Sequence, residues 1–206
     1  MSSTLKSVVL ALIFVLSFVA SVTGAEESRA LEGLEVLRRG FAELNDFTAE
    51  ITQEKQLALM KQKMISRGVV RFRKPGTFYM ELYPPNGSRL LMRDNILTVQ
   101  LPEHGTTDRM ILPPDQSLGR WFDYLSKPIT SLPAGMNVTA VRQGDSWTVH
   151  ITPASKGGVR ELELTFDIEG RIRRLAIEER NRDRTVIKFA NLRRNTGLKD
   201  KDFRLH

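Results

Sequence analysis

Apolar side chains recur at spacings of three and four through Leu31, Leu34, Leu37, Phe41 and Leu44, with Glu32, Glu35, Arg38 and Arg39 between them. That period is one face of an amphipathic helix, and Ser28 is a residue type that caps one. At Phe47 the period changes. Phe47, Ala49 and Ile51 alternate with Thr48, Glu50 and Thr52, which predicts a strand beginning where the helix stops. Gln53 to Ser66 fits strand or loop.

Arg67 to Gly87 holds two more strand-like runs, parted by a turn at Pro75-Gly76 and closed by Pro84-Pro85-Asn86-Gly87. Leu90-Leu91-Met92 and Ile96 to Leu101 flank Arg93-Asp94-Asn95, a compact hairpin signal. From Asp115 to Leu125, Leu118, Trp121, Phe122 and Leu125 stand at helical spacing until Pro128 stops them, which predicts a short helix acting as a lid. The last third reads as a meander. Trp147, Val149 and Ile151 alternate, as do Leu162, Leu164, Phe166 and Ile168. After Glu169-Gly170 the chain returns through Ile172 to Glu179, turns at Asn181 to Arg184, and runs out through Thr185 to Leu192. Tight turns between successive strands make antiparallel pairing the natural topology. The prediction is mainly β with α: one antiparallel sheet, strongly curved, with two or three helices on its concave side.

The ends place the chain. Lys6 precedes an apolar run from Val8 to Ala20 and then the small residues Ser21 to Ala25, the layout of a cleavable signal peptide. The run is shorter than the roughly 20 residues a membrane span needs. Residues 1–24 are therefore read as signal and 25–206 as one domain, large enough for a core of its own. An exported chain without cysteine has no disulfide framework and no thiol chemistry, which favours a Gram-negative periplasm. Net charge is +7, and the stretch from Arg171 to His206 alone carries 12 Lys and Arg against 5 Asp and Glu. Such a basic third suits an anionic lipid surface or an acidic partner, and export argues against nucleic acid.

No catalytic set is found. His104, His150 and His206 lack metal-ligand spacing, so no metal is assigned. Gly144-Asp145-Ser146 resembles one esterase nucleophile block, but it lies in a turn and no Asp-x-x-His element supplies a base. Glu178 and Glu179 are adjacent in a strand and point to opposite faces, which does not suit paired acid and base work. There is no phosphate-cradling loop and no dinucleotide fingerprint, and no cofactor is implied.

What remains is apolar surface arranged by alternation. Phe72, Phe78, Met80, Leu82, Met92 and the Trp121-Phe122 pair are the candidate lining of a binding cavity. Met60, Met64, Met80, Met92 and Met110 add side chains that adapt to variable apolar partners.

The order of pieces resembles the LolA family of periplasmic lipoprotein carriers. The likeness rests on a helix running into Phe47-Thr48-Ala49-Glu50-Ile51-Thr52-Gln53, then Gly68-x-x-x-Phe72-x-Lys74-Pro75-Gly76-x-Phe78 and Tyr83-x-Pro85. It continues through Ile151-Thr152-Pro153, Leu162 to Phe166, Asp167-Ile168-Glu169-Gly170 and Lys201-Asp202-Phe203. The resemblance implies an unclosed barrel with helices as a lid over a hydrophobic cavity, lined here by Phe47, Phe72, Phe78, Met80, Leu82, Met92, Trp121 and Phe122. It implies a monomer that takes acylated lipoproteins from an inner-membrane ABC exporter and hands them to an outer-membrane receptor, without catalysis. The family's functional arginine falls on Lys74, which with Pro75 would form the lid or rim; the charge is kept and the forked hydrogen bonding of arginine is lost. A carrier of another amphiphile such as a glycolipid, and a periplasmic sensor or adaptor binding a protein through the basic C-terminal strands, remain open beside it.

Overall fold

The computed structural model describes residues 24–59, 63–111, 126–153 and 158–205. One helix, α1, covers residues 24–42. Two long strands follow, β1 (Asp46–Gln56) and β2 (Lys63–Arg73), then four short ones, β3 (Thr77–Leu82), β4 (Ser88–Arg93), β5 (Ile96–Leu101) and β6 (Thr106–Ile111). The return is made by β7 (Met136–Gln143), β8 (Ser146–Pro153), β9 (Val159–Asp167), β10 (Ile172–Glu179) and β11 (Arg184–Arg194). All eleven join one antiparallel sheet in the order β6-β5-β4-β3-β2-β1-β11-β10-β9-β8-β7. Two meanders are thus stitched together by the β1–β11 pair, and every other neighbour is a sequential hairpin. The edge strands β6 and β7 do not pair with each other, so the sheet is unclosed.

Two expectations need correction, and one strand is added. The described residues carry one α-helix where two or three were predicted; the helix read over residues 115–125 lies outside them. One is long enough for most of the covering, since 19 residues at 1.5 Å each span about 28 Å. Ser28 lies inside α1 instead of capping it, because Ala25, Glu26 and Glu27 are themselves good helix residues and the acidic pair suits a first turn. β6 was not read at all. Its sequence, Thr-Thr-Asp-Arg-Met-Ile, has no apolar alternation because every residue in it is exposed.

Residues directly opposite in an antiparallel pair point to the same side, so the register defines the faces. The inner face, which α1 covers, carries two core clusters. In the first, Ala30, Leu34 and Leu37 of α1 pack on Val138, Ala140, Trp147, Val149 and Phe166 of β7 to β9. In the second, Leu44, just after the helix, joins Phe47, Ala49, Ile51, Val70, Phe72, Leu82 and Ile187. Phe41 touches both. The helix crosses the sheet at the β9–β10 turn with almost no clearance: a Cβ on Gly40 would stand 2.7 Å from Gly170 Cα and from the Glu169 carbonyl oxygen. Gly170 itself takes the turn at φ 69°.

The segment after β11 is tied to the start of β1 by one buried carboxylate. Asp46 accepts hydrogen bonds from Thr196 N at 2.7 Å, Thr196 Oγ1 at 2.8 Å, Gly197 N at 3.0 Å and Leu198 N at 3.4 Å. Burial works to raise that carboxyl, but these four donors outweigh it and hold it below the usual carboxylate range. The chain then crosses the outer face and ends in a 3₁₀ turn, Asp200–Phe203, whose Phe203 ring is fully buried. The Arg73 guanidinium sits 5.2 Å from that ring's centre and pairs with Asp200, while Arg71 Nη1 donates to the Asp202 carbonyl.

Candidate functional site

Phe47, Phe72 and Phe78 face one another in register across β1, β2 and β3, and the row continues through Met92, Leu97 and Met110 on β4, β5 and β6. A parallel row runs from Ala49 through Val70, Met80 and Leu90 to Val99 and ends on Asp108. Leu82 lies opposite Gly68 on the same side. Six of the sequence-predicted lining residues, Phe47, Phe72, Phe78, Met80, Leu82 and Met92, thus share the inner face; Trp121 and Phe122 lie outside the described residues. Met64, opposite Lys55, and Met110 share that face as well, so four methionines line it.

The face is not uniform. Phe47, Phe72 and Leu82 are buried in the second core cluster. Phe78 and Met80 only pack against it, and both are half-buried. Beyond them, Leu90, Met92, Leu97 and Val99 belong to neither cluster and stay half-buried, and Met110 is 59% exposed. Core residues therefore grade, strand by strand, into an apolar surface on β3 to β6 that the helix leaves partly uncovered. Leu90, Leu97 and Val99 were not singled out from the sequence. Leu90-Leu91-Met92 is apolar throughout, so alternation does not tell which side chain points in; pairing with β3 does, placing Leu91 opposite Tyr79 on the outer face.

Lys74 closes the end of the helix. Its Nζ donates to the carbonyl oxygens of Phe41 at 2.8 Å and Ala42 at 3.1 Å, and its backbone N–H donates to the Asn45 carbonyl at 2.9 Å. The last carbonyls of a helix lack intrahelical donors, and a cation there also meets the negative end of the helix dipole. Burial pulls the Lys74 ammonium below its ordinary pKa. Pro75 is exposed at the turn that carries it. On the helix's other flank, Glu35 accepts from Arg38 at 2.7 and 2.8 Å and from the Ile129 N–H at 3.3 Å, which fastens the strand-free stretch before β7 to α1. The Arg38 bonds above all hold the Glu35 carboxyl down at about 2.

The candidate reactive groups His150 and Ser146 both lie on β8. His150 has a carboxylate partner that the sequence did not reveal: its Nδ1 stands 3.0 Å from Glu161 Oε1 on the next strand. Ser146 follows a two-residue hairpin turn with Gly144 at φ 57°. No cluster of three or more His, Cys, Asp or Glu able to hold a metal occurs among the described residues. No helix among them is long and apolar enough to cross a membrane.

The protein family described as outer membrane lipoprotein carrier protein LolA matches residues 42–206, which spans all eleven strands and the C-terminal segment. No curated protein matches the sequence. Among solved structures, a DUF1329 family protein from Desulfovibrio piger is 14% identical, with 85% of this chain and 97% of that one covered at a TM-score of 0.47. A LolA superfamily protein from Nitrosomonas europaea is 11% identical over 82% of this chain and 96% of that one, TM-score 0.43. The Mycobacterium tuberculosis lipoprotein LppX is 14% identical over 82% and 97%, TM-score 0.42.

Proposed function

The chain belongs to the LolA family of outer membrane lipoprotein carrier proteins, and from that membership we propose that it is a periplasmic carrier that holds the acyl chains of lipoproteins on the inner face of its sheet and moves them from the inner to the outer membrane. Residues 1–24 act as a cleaved signal peptide and 25–206 as the carrier domain, a monomer. Its partners are acylated lipoproteins, an inner-membrane ABC exporter that loads it and an outer-membrane receptor that unloads it.

The observation that carries this reading is the gradation on the inner face. Phe78, Met80, Leu90, Met92, Leu97 and Val99 are contiguous by register, apolar and only half-buried, next to a core that is fully closed. Each methylene removed from water contributes about 0.8 kcal/mol, so an acyl chain of ordinary length gains several kcal/mol on such a surface. Methionine and leucine walls adapt to chains of different length, and an open, loosely packed surface lets the load go. Lys74 and Pro75 form the rim where the β2–β3 turn meets the helix end.

The test is a release assay. Spheroplasts of the native host, with energised inner membrane, are incubated with purified mature protein, and the supernatant is searched for what it has bound. Acylated lipoproteins in a one-to-one complex support the reading. A complex holding only a glycolipid or other lipid changes the cargo class, and capture of a folded, unacylated protein with no lipid replaces the carrier by an adaptor.

A further inference from the structure

The outer face of β4, β5 and β6 bears an open groove of about 600 Å³ between the sheet and the C-terminal segment. Its floor is apolar, with Leu91 and Ile96 from the sheet and Leu205 from the segment, above the buried Phe203. Arg93, Arg109 and Arg204 rim it, and all three are exposed. Register accounts for the grouping: Leu91 faces Thr98, which faces Arg109, and Arg93 faces Ile96, which faces Ile111. Ile111, 73% exposed, carries the apolar row to the edge of the sheet.

None of these three guanidiniums has an ion pair among the described residues. The acidic group within the field of Arg93 and Arg204, Asp200, is already taken by Arg73. On the same outer face Lys188 is matched by Glu54, Arg174 by Glu163 and Arg89 by Glu81, whereas Lys63, Arg67 and Arg184 also have no ion pair among the described residues; what sets the groove apart is its unpaired guanidiniums around an apolar floor. Unpaired positive charge around apolar surface is the composition of an interfacial site: guanidiniums suit phosphate oxygens, and the apolar floor suits the region just beneath. A peptide groove would need polar groups for the peptide backbone, and here the floor offers only Thr98.

We propose that this groove docks the protein on an anionic membrane surface, with Arg93, Arg109 and Arg204 on lipid phosphates and Leu91, Ile96, Ile111 and Leu205 against the glycerol and upper acyl region. Leu90, Met92 and Leu97 lie on the opposite side of the same strands, so docking through the outer face leaves the apolar inner face unobstructed. The proposal goes beyond the carrier reading and does not depend on what the inner face holds, so vesicle binding and cargo loading are scored separately.

The test is co-sedimentation of the purified mature protein with vesicles of phosphatidylcholine alone or with 30% phosphatidylglycerol, at low and physiological salt. The triple variant Arg93→Gln/Arg109→Gln/Arg204→Gln is compared with a control, Lys63→Gln/Arg67→Gln/Arg184→Gln, that removes equal charge from β2 and β11. Circular dichroism and melting temperature check that both are folded. The proposal expects binding to the phosphatidylglycerol vesicles only, a roughly hundredfold loss in the groove variant, and a much smaller loss in the control. Equal losses in both variants, binding retained by the groove variant, no vesicle binding by the wild type, or binding to polyglutamate but not to vesicles would each overturn it. Loading of the groove variant with detergent-solubilised acylated lipoprotein, with no bilayer present, is expected to be unchanged, so a failure of docking and a failure of the carrier reading are told apart.

Discussion

Lys74 Nζ donates to the carbonyl oxygen of Phe41 at 2.8 Å, so the turn between β2 and β3 is bolted to the end of the helix that covers the sheet. Two structural pieces 33 residues apart in sequence meet through one ammonium. Replacing Lys74 by Met removes that donor and leaves the last helical carbonyls to water. The expected cost is about 1–2 kcal/mol, read as a lowered midpoint of denaturant unfolding, with faster hydrogen exchange around residues 40–45. Lys74→Arg is expected to recover most of it.

The crossing of Gly40 over Gly170 gives a sharper effect. A methyl group at position 40 would stand 2.7 Å from backbone atoms that cannot rotate away. Gly40→Ala is expected to destabilise the fold by about 1–3 kcal/mol although alanine is the better helix former, a sign opposite to that of an exposed helical glycine. Thermal unfolding decides it, and an unchanged or raised melting temperature would refute the close contact.

Acid sensitivity follows from Glu35. Its carboxyl sits at about 2 in the folded protein against an ordinary value of 4.5, chiefly through Arg38. The unfolded chain therefore binds the proton first, so the stabilisation is full above pH 4.5 and is lost as pH falls toward 2. With both side chains partly exposed, about 1–2 kcal/mol is expected after solvent screening. Glu35→Gln should lower stability at pH 7 and flatten its pH dependence in that window, as measured by urea unfolding at a series of pH values.

Much of this was legible in the sequence, because alternation and turn residues are local signals. The helix-to-strand switch at Phe47, the turn at Pro75-Gly76, the hairpin at Asp94-Asn95 and the closing meander stand where the pattern puts them. Six lining residues fall on one face for the same reason. What was not legible depends on long-range register. β6 carries no apolar alternation, being an exposed edge, and Leu90 was indistinguishable from Leu91 until β3 fixed its side. The Asp46 anchor joins residues far apart in the chain and no local pattern announces it, while the family resemblance points to Lys74 as lid or rim without naming the helix-end carbonyls it binds.

Cargo contact is predicted to be sensitive at Phe78. Phe78→Glu places a charge on the half-buried inner face without opening the main core, so the protein should stay folded and lose loading in the release assay. Normal loading by a folded variant would remove Phe78 from the cargo surface.

The most direct measurement uses two adjacent residues on β4 that point to opposite sides, Met92 inward beside Phe78 and Leu91 outward beside Tyr79. A photo-crosslinking amino acid is placed at position 92 or at position 91, and the protein is loaded in the spheroplast release assay before illumination. The account predicts strong crosslinking to the acylated cargo from position 92 and little from position 91. Equal crosslinking from both, or crosslinking from position 91 alone, would contradict the claim that the inner face of β3 to β6 holds the load.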